Sequence, residues 1–362
     1  METMVEDLEE FWSSKRVLIT GHNGFKGSWL SLILKKFKAD VYGISLLPET
    51  KPNLNELLKK EQKLEIKEFL IDIRNFHELS SKVKEICPDI IFHLAAQPLV
   101  IKSYKNPLET WETNVLGTLN LLESLKTIKK NCSVVIITTD KVYKNLNIHC
   151  GYREDDELGG YDPYSASKAA CELAVSSWRD SFCGSNNERN NFLKISTARS
   201  GNVIGGGDWS EDRIVPDTIK AFKAKIPVAL RNPNYTRPWQ HVLDPLSGYL
   251  KLAKENYISN SPFCEAFNFG PKIESNTTVN GLVEEIIKYW PGTISKIVET
   301  ESLHESELLH LQIDKSYKLL NWRPKWGFEK SVEHATNWYK KFYDGKTAYE
   351  CTIDDINNFF GI

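Results

Sequence analysis

The first half of the chain alternates short runs of aliphatic and β-branched residues with longer stretches whose apolar positions recur at helical spacing. The short runs are apolar on both faces rather than alternating, the pattern of parallel strands buried between two layers of helix. Strands are predicted at Arg16–Thr20, Asp40–Ser45, Phe69–Ile73, Ile90–Leu94, Val134–Thr138 and Leu193–Ala198. Helices are predicted at Gly24–Phe37, Phe76–Ile86, Pro107–Thr127 and Pro163–Phe182. Beyond Gly201 the pattern breaks into loops rich in Gly, Pro and Trp, with helices near Val215–Lys225, Val242–Glu255, Val279–Tyr289 and Lys330–Phe342. This order predicts an α/β protein, with a doubly wound parallel sheet over residues 1–200 and a smaller C-terminal α/β lobe over residues 201–362, interleaved with the end of the sheet. Neither a linker nor a repeat separates the two, so a shared cleft is expected.

Size and charge narrow the classes. At 362 residues the chain exceeds the size at which one core usually keeps growing. Lys and Arg (46) nearly balance Asp and Glu (48), for a net charge of −2, which argues against a nucleic-acid or anionic-membrane partner while leaving room for a local anion site. Cys87, Cys132, Cys150, Cys171, Cys183, Cys264 and Cys351 are scattered, without a C-x-x-C or a Cys/His cluster. Reduced thiols, no disulfide and no metal site are expected. Met1–Glu10 is acidic and lacks the basic-then-apolar order of a leader, and no uninterrupted apolar run approaches about 20 residues. A cytoplasmic location is expected.

The turn after the first predicted strand changes the picture most. Gly21-His22-Asn23-Gly24-Phe25-Lys26-Gly27 leads from a buried strand into an apolar helix with its glycines spaced by two residues. Glycines there permit a tight turn, let backbone approach a pyrophosphate and bring helix against strand, while the helix N-terminus stabilises the phosphate charge. This is a Rossmann-type dinucleotide site, and NAD is the expected cofactor. His22 and Lys26 add polar groups beside the phosphates. An acid normally binds the ribose diol at the end of the second strand, yet Ser45 stands there, and no arginine takes its place for a 2′-phosphate. NAD versus NADP therefore stays open on this feature alone. Asp72-Ile73 suits the adenine amino group, and Ala95-Ala96-Gln97 supplies small residues where backbone passes close to cofactor. Asn114 lies on the following helix.

Tyr164 and Lys168 lie one helical turn apart in Asp162-Pro163-Tyr164-Ser165-Ala166-Ser167-Lys168. A phenol with an unperturbed pKa of ~10 is a weak base at neutral pH, and an ammonium at i+4 is expected to favour its phenolate. Tyr164 could then accept a proton from a sugar hydroxyl while the carbon loses hydride. With the glycine turn, Leu94-Ala95-Ala96-Gln97, Thr113–Thr118 and the late Leu319-Leu320-Asn321-Trp322-Arg323-Pro324, nearly the whole chain resembles the extended short-chain dehydrogenase/reductases. That resemblance implies nucleotide-sugar substrates bound between a Rossmann domain and a C-terminal substrate-binding lobe. It also implies a catalytic trio of Thr139, Tyr164 and Lys168, and a homodimer through the Pro107–Thr127 and Pro163–Phe182 helices or a homotetramer.

Thr138-Thr139-Asp140-Lys141-Val142-Tyr143 places an acid and a base directly after the trio's threonine. Oxidation alone needs neither; elimination of water across C5 and C6 needs both a proton acceptor and a proton donor. The Asp-Lys pair, together with Ala198–Trp209 and Arg231–Val242, resembles the CDP-glucose 4,6-dehydratases of that family, which implies CDP-glucose as the substrate. Two roles stand open for Lys141: a C5 base, for which it must be neutral, or a cation beside the enolate while Asp140 moves the proton. Asn202, Arg213, Arg237 and His241 are the candidate substrate-binding residues, although a histidine in such a lobe is more often a structural hydrogen-bonder. Trp209 and Trp239 are more often core than base-stacking groups. Two other readings stand beside this one: a dTDP-, GDP- or UDP-sugar dehydratase or epimerase, and a non-catalytic nucleotide-sugar binder.

Overall fold

The computed structural model describes residues 8–147, 150–183, 190–259, 263–295 and 308–362. Its frame is a parallel sheet. The strands are β1 (Arg16–Thr20), β2 (Asp40–Ser45), β3 (Lys67–Leu70), β4 (Ile90–His93), β5 (Cys132–Ile137), β6 (Leu193–Arg199) and, after the short β7 (Val203–Ile204), β8 (Thr236–Pro238) and β9 (Gln240–His241), the seventh sheet strand β10 (Ala266–Asn268). Their order is β10-β6-β5-β4-β1-β2-β3. The order reverses between β4 and β1, and a crevice opens at such a switch point beyond the strands' carboxyl ends. A further short strand, β11 (Asn276–Thr278), pairs antiparallel with β8, and β7 pairs with β9.

Two apolar layers sandwich the sheet. One packs Trp29, Ile33, Phe267, Trp322 and Trp338 across to the C-terminal helices; the other packs Leu18, Ile91, Leu121, Val134 and Ile195. The helices that position the cleft are α1 (Phe25–Lys36), α2 (Leu54–Lys60), α3 (Phe76–Ile86), α4 (Val100–Lys105), α5 (Pro107–Trp111), α6 (Gly117–Leu125) and α7 (Pro163–Phe182), followed by α8 (Ile214–Lys223) and α9 (Leu243–Ile258). The chain closes with α10 (Val279–Tyr289), α11 (Asp314–Leu320), α12 (Phe328–Tyr343) and α13 (Ala348–Phe360). No helix among the described residues is long and apolar enough to cross a membrane.

Three expectations shift. The third strand is Lys67–Leu70 rather than Phe69–Ile73, because edge pairing with β2 (Tyr42 opposite Lys67, Ser45 opposite Leu70) sets it rather than hydrophobicity. Ile71 and Ile73 are buried after the strand has ended. The single helix expected over Pro107–Thr127 is interrupted by a π-helical turn at Glu112–Leu116, the kind of insertion that redirects a side chain at functional positions. Finally α2, α4, α11, α13 and the sheet strand β10 are not among the expected elements, and α13 begins with a capping box in which Thr347 and Glu350 bond each other's backbone reciprocally.

Candidate active site

A cleft of about 1140 Å³ opens over the switch point, large enough for a dinucleotide beside a second ligand given the usual range of pocket volumes. Gly21, Asn23, Gly24, Phe25, Lys26, Gly27, Ser45, Asp72, Ile73, Ala95, Ala96, Gln97, Thr139, Asp140, Lys141, Tyr164, Lys168, Asn202, Arg213 and Arg237 all border it. His22, Asn114 and His241 do not.

The glycine turn is built for close approach. Gly21 has φ +72°, and a Cβ there would lie 2.7 Å from the Ala95 nitrogen; one on Gly27 would lie 2.2 Å from the Gly21 carbonyl oxygen. Side chains at these positions would collide with neighbouring backbone, so the tight turn and the close packing of α1 against it both require glycine. The His22 ring, by contrast, turns under the sheet, where Nε2 bonds Glu68 Oε1 at 2.9 Å. A Cβ on Gly43 would lie 2.4 Å from that ring. His22 is thus a packing residue linking the turn to β2 and β3, not a side chain beside the phosphates. Lys26 also departs from expectation: its Nζ donates to Ser200 Oγ at 2.9 Å and Tyr249 Oη at 3.3 Å. Burial, then the nearby Arg213, pull the Lys26 pKa down to about 7 against the opposing pull of Asp140.

At the adenosine end, Ser45 closes β2 and is buried. Glu49 also brings a carboxylate to this rim, paired with Lys102 at 2.7 Å. An arginine does border the rim, Arg74, but its fork is engaged by Asp72, with Nε at 2.9 Å and Nη2 at 2.6 Å from Oδ2. That bond holds the Asp72 carboxyl below its usual range. Asn114, in the π-helical turn, accepts from the Gln97 amide at 2.8 Å and donates to Ser167 Oγ at 2.9 Å. Its side chain ties the β4 loop to α7 and is not exposed to the cleft, which removes it from the direct cofactor contacts.

Asp162 starts α7 by accepting from the Ser165 amide at 2.9 Å, with Pro163 in the first turn. That start fixes Tyr164 and Lys168 on the cleft face. Thr139 Oγ1 donates to Asp140 Oδ1 at 2.9 Å and lies within hydrogen-bonding reach of the Tyr164 phenol. Asp140 is fully buried and its Oδ2 has no partner; Lys141 Nζ stands 3.9 Å from Oδ1. Lys168 Nζ donates to the Ile137 carbonyl at 3.1 Å. Contrary to expectation, the Tyr164 pKa is not depressed by Lys168. Burial pushes it up to about 12, and the Thr139 bond opposes that rise.

On the far wall, Asn202 adopts φ +46°, and its Nδ2 is buried without a partner. Arg213 lies 3.4 Å from Asp208, and the Arg237 guanidinium sits 5.6 Å over the Tyr235 ring. His241 is fully buried in the C-terminal core, 4.7 Å from the Trp326 ring and 3.9 Å from Asp355. Contrary to expectation, His241 therefore does not line the substrate wall: it is a structural histidine, and burial keeps its pKa well below the ordinary value. Trp209 and Trp239 belong to the core. Sequence reasoning passed over Ser200 and Tyr249, which appear in the chain only as a small polar residue after a strand and one aromatic of an amphipathic helix.

The chain matches the family model described as GDP-mannose 4,6 dehydratase over residues 18–335. It is 42% identical over 352 residues to CDP-glucose 4,6-dehydratase of Salmonella typhimurium strain LT2, covering 97% of this chain and 98% of that one. UDP-glucose 4-epimerase of Mycoplasma genitalium is 24% identical, over 91% of this chain and 97% of the other. Among solved structures, DesIV, a dTDP-glucose 4,6-dehydratase from Streptomyces venezuelae with NAD bound, superposes with a TM-score of 0.76 at 22% identity, covering 90% of this chain and 97% of that one. A methanogen epimerase from Methanothermobacter thermautotrophicus superposes with a TM-score of 0.78 at 23% identity, covering 94% and 97%. These two likenesses bear on the fold. The extent of the family match, joined to near full-length similarity with the Salmonella enzyme, makes the chain a member of the GDP-mannose 4,6 dehydratase family, within the extended short-chain dehydrogenase/reductases.

Proposed function

We propose that the protein is an NAD-dependent CDP-glucose 4,6-dehydratase, a hydro-lyase that converts CDP-D-glucose to CDP-4-keto-6-deoxy-D-glucose and water. The single observation that carries this reading is Asp140: a fully buried carboxylate with one unpartnered oxygen, bonded to Thr139 and flanked by Lys141. Simple oxidation leaves such a group without work, whereas elimination requires it. The near full-length likeness to the Salmonella enzyme supports cytidine as the base.

The glycine turn, Ser45, Asp72 with Ile73, and the Ala95–Gln97 loop would hold NAD. NAD, when bound there, supplies the two-electron acceptor that takes hydrogen from C4 of the sugar and gives it back at C6. Tyr164, assisted by Thr139, accepts the proton of the C4 hydroxyl, and Lys168 lies one turn on, its Nζ held on the Ile137 carbonyl. The C4 ketone acidifies C5–H. Asp140 or Lys141 then takes the C5 proton, and the pair delivers a proton to the departing C6 hydroxyl, which leaves as water. A proton returned from the protein to C5, equivalent to the one Tyr164 took from the C4 hydroxyl, accompanies the hydrogen restored at C6, so the sugar loses one water and both protein and cofactor end as they began. Asn202, Arg213 and Arg237 would hold the diphosphate, Arg237 through its planar fork.

In this reading residues 1–200 hold the cofactor, and residues 201–362 supply most of the nucleotide-sugar wall. Two copies would pair through the α5–α6 and α7 helices, which expose Leu108, Trp111, Leu116 and Leu173. The deciding experiment incubates the protein and NAD with CDP-, dTDP-, GDP- and UDP-glucose. A 4-keto-6-deoxy product from CDP-glucose alone is expected; product only from another nucleotide sugar, or a C4 epimer without loss of water, overturns the assignment.

A further inference from the structure

Two buried charges outside the cleft grip the catalytic segments from three sides. Glu172 lies one turn beyond Lys168 and two beyond Tyr164 on the same face of α7. Its Oε2 accepts from Arg199 Nη2 at 2.9 Å and Thr197 Oγ1 at 2.7 Å, and its Oε1 accepts from Thr138 Oγ1 at 2.5 Å. Arg199, at the end of β6, donates through Nη1 to Tyr143 Oη at 2.7 Å and to the Glu154 carbonyl at 2.9 Å. Thr138 directly precedes Thr139-Asp140-Lys141, and Tyr143 follows that run by one residue. The ion pair therefore clasps both ends of the segment bearing the elimination groups and pins it to the helix bearing Tyr164 and Lys168.

We infer that Glu172 and Arg199 are positioning residues for the reaction, setting the distance between Tyr164 on α7 and Thr139-Asp140-Lys141 on the β5 loop. A role in stability alone does not account for them. Side chains exposed by only 2% and 4% would stabilise the fold as well or better as well-packed apolar residues, because two ions must be stripped of water. What an ion pair adds is direction: the carboxylate's acceptors and the guanidinium's fixed fork define the relative placement of α7, β5 and β6 in a way that apolar packing does not. Glu172 also opposes the loss of charge that burial imposes on Lys168.

The kinetic part of the test rests on the dehydratase reading; the structural part does not. Removing one partner alone leaves an uncompensated buried charge, so the informative protein is the double variant Glu172→Met/Arg199→Met, in which no charge is stranded, with Arg199→Lys, which keeps both charges but not the planar fork, as the conservative partner. In a crystal structure of the double variant, Tyr164 Oη and the Thr139–Lys141 segment are expected to move apart. In CDP-glucose turnover below its melting temperature, kcat is expected to fall by about 100-fold, the effect of a displacement on the order of 1 Å, while KM changes little. The isotope effect from C4-deuterated substrate should grow, and Arg199→Lys should keep part of kcat. A double variant that keeps Tyr164 and Asp140 in place overturns the inference whatever sugar the protein uses. Normal kcat and isotope effect in a folded double variant overturn it as well. Failure of the wild type on CDP-glucose would count against the proposed function and leave the crystallographic outcome to decide the inference.

Discussion

Asp140 stands directly over Gly201: a Cβ added at that glycine would lie 1.8 Å from Oδ2 and 2.0 Å from Cγ of the carboxylate. Asp140 has no exposed surface into which to retreat. Gly201 is therefore the floor on which the Asp140 carboxylate rests, held just after β6 and beside Ser200. Gly201→Ala should displace Asp140 and lower the rate of CDP-glucose dehydration by about 100-fold, as expected when a reacting group is shifted by an ångström. A steady-state assay checks it, with a melting curve to confirm the fold. Wild-type rates would mean that Asp140 moves freely and takes no positioned part in the chemistry.

Tyr164→Phe removes the proton-accepting oxygen and little else. Turnover should fall by ~10²–10⁴-fold, the usual worth of a positioned acid–base group, while calorimetric binding of CDP-glucose stays close to wild type. Lys168→Ala should behave differently. Losing its buried ammonium, anchored on the Ile137 carbonyl at 3.1 Å, should weaken cofactor affinity as well as turnover. Equal losses in binding for both variants would merge the two roles and count against the division.

Lys26 gives the fold a pH dependence with a definite sign. Its folded-state pKa is near 7, pulled from the ordinary 10.5 chiefly by burial and next by Arg213. Between those two values the unfolded chain binds more protons at this site than the folded one, so its contribution to stability rises with pH across that window. Below about 7 the cost of the buried ammonium is felt in full. Melting temperatures of the protein without added nucleotide, measured from pH 7 to 9, should therefore rise more for the wild type than for Lys26→Met. Parallel curves would show that Lys26 does not titrate in that interval.

What could be read directly from the chain was whatever depends on local pattern. β1 and β2 coincide with the predicted Arg16–Thr20 and Asp40–Ser45 because their apolar runs are bounded by polar residues and followed by turns. The family's motifs were equally local, and they placed Thr139, Asp140, Tyr164 and Lys168 around one cleft. Failures came where a distant partner decides the outcome. His22 reads as a polar group in a phosphate turn until Glu68, 46 residues on, captures its ring. Lys26 sits in the same turn but is drawn to Ser200 across the cleft. Glu172 could have been found, since it repeats the i+4 step from Lys168, but only the fold reveals that Arg199 and Thr138 meet it. The capping box at Thr347–Glu350 was a visible start signal for α13 that went unread.

The last prediction concerns the division of work between the Asp140–Lys141 pair and Tyr164. Asp140 and Lys141 directly follow Thr139, 3.9 Å apart at their charged atoms, yet hydride removal from C4 requires only Thr139, Tyr164 and Lys168. In Asp140→Asn and Lys141→Met, formation of the C4 ketone should therefore survive better than loss of water. CDP-4-keto-glucose should accumulate, and wash-in of solvent deuterium at C5 should slow. The two variants also separate the alternatives for the C5 base. If Asp140 takes the proton, Asp140→Asn should abolish deuterium wash-in while Lys141→Met only slows it, because a lost cation weakens enolate stabilisation without removing the base. The opposite ranking makes Lys141 the base. Variants that dehydrate at normal rates, or that lose ketone formation and water loss in equal measure, would make the pair structural and leave the elimination step without its proposed agents.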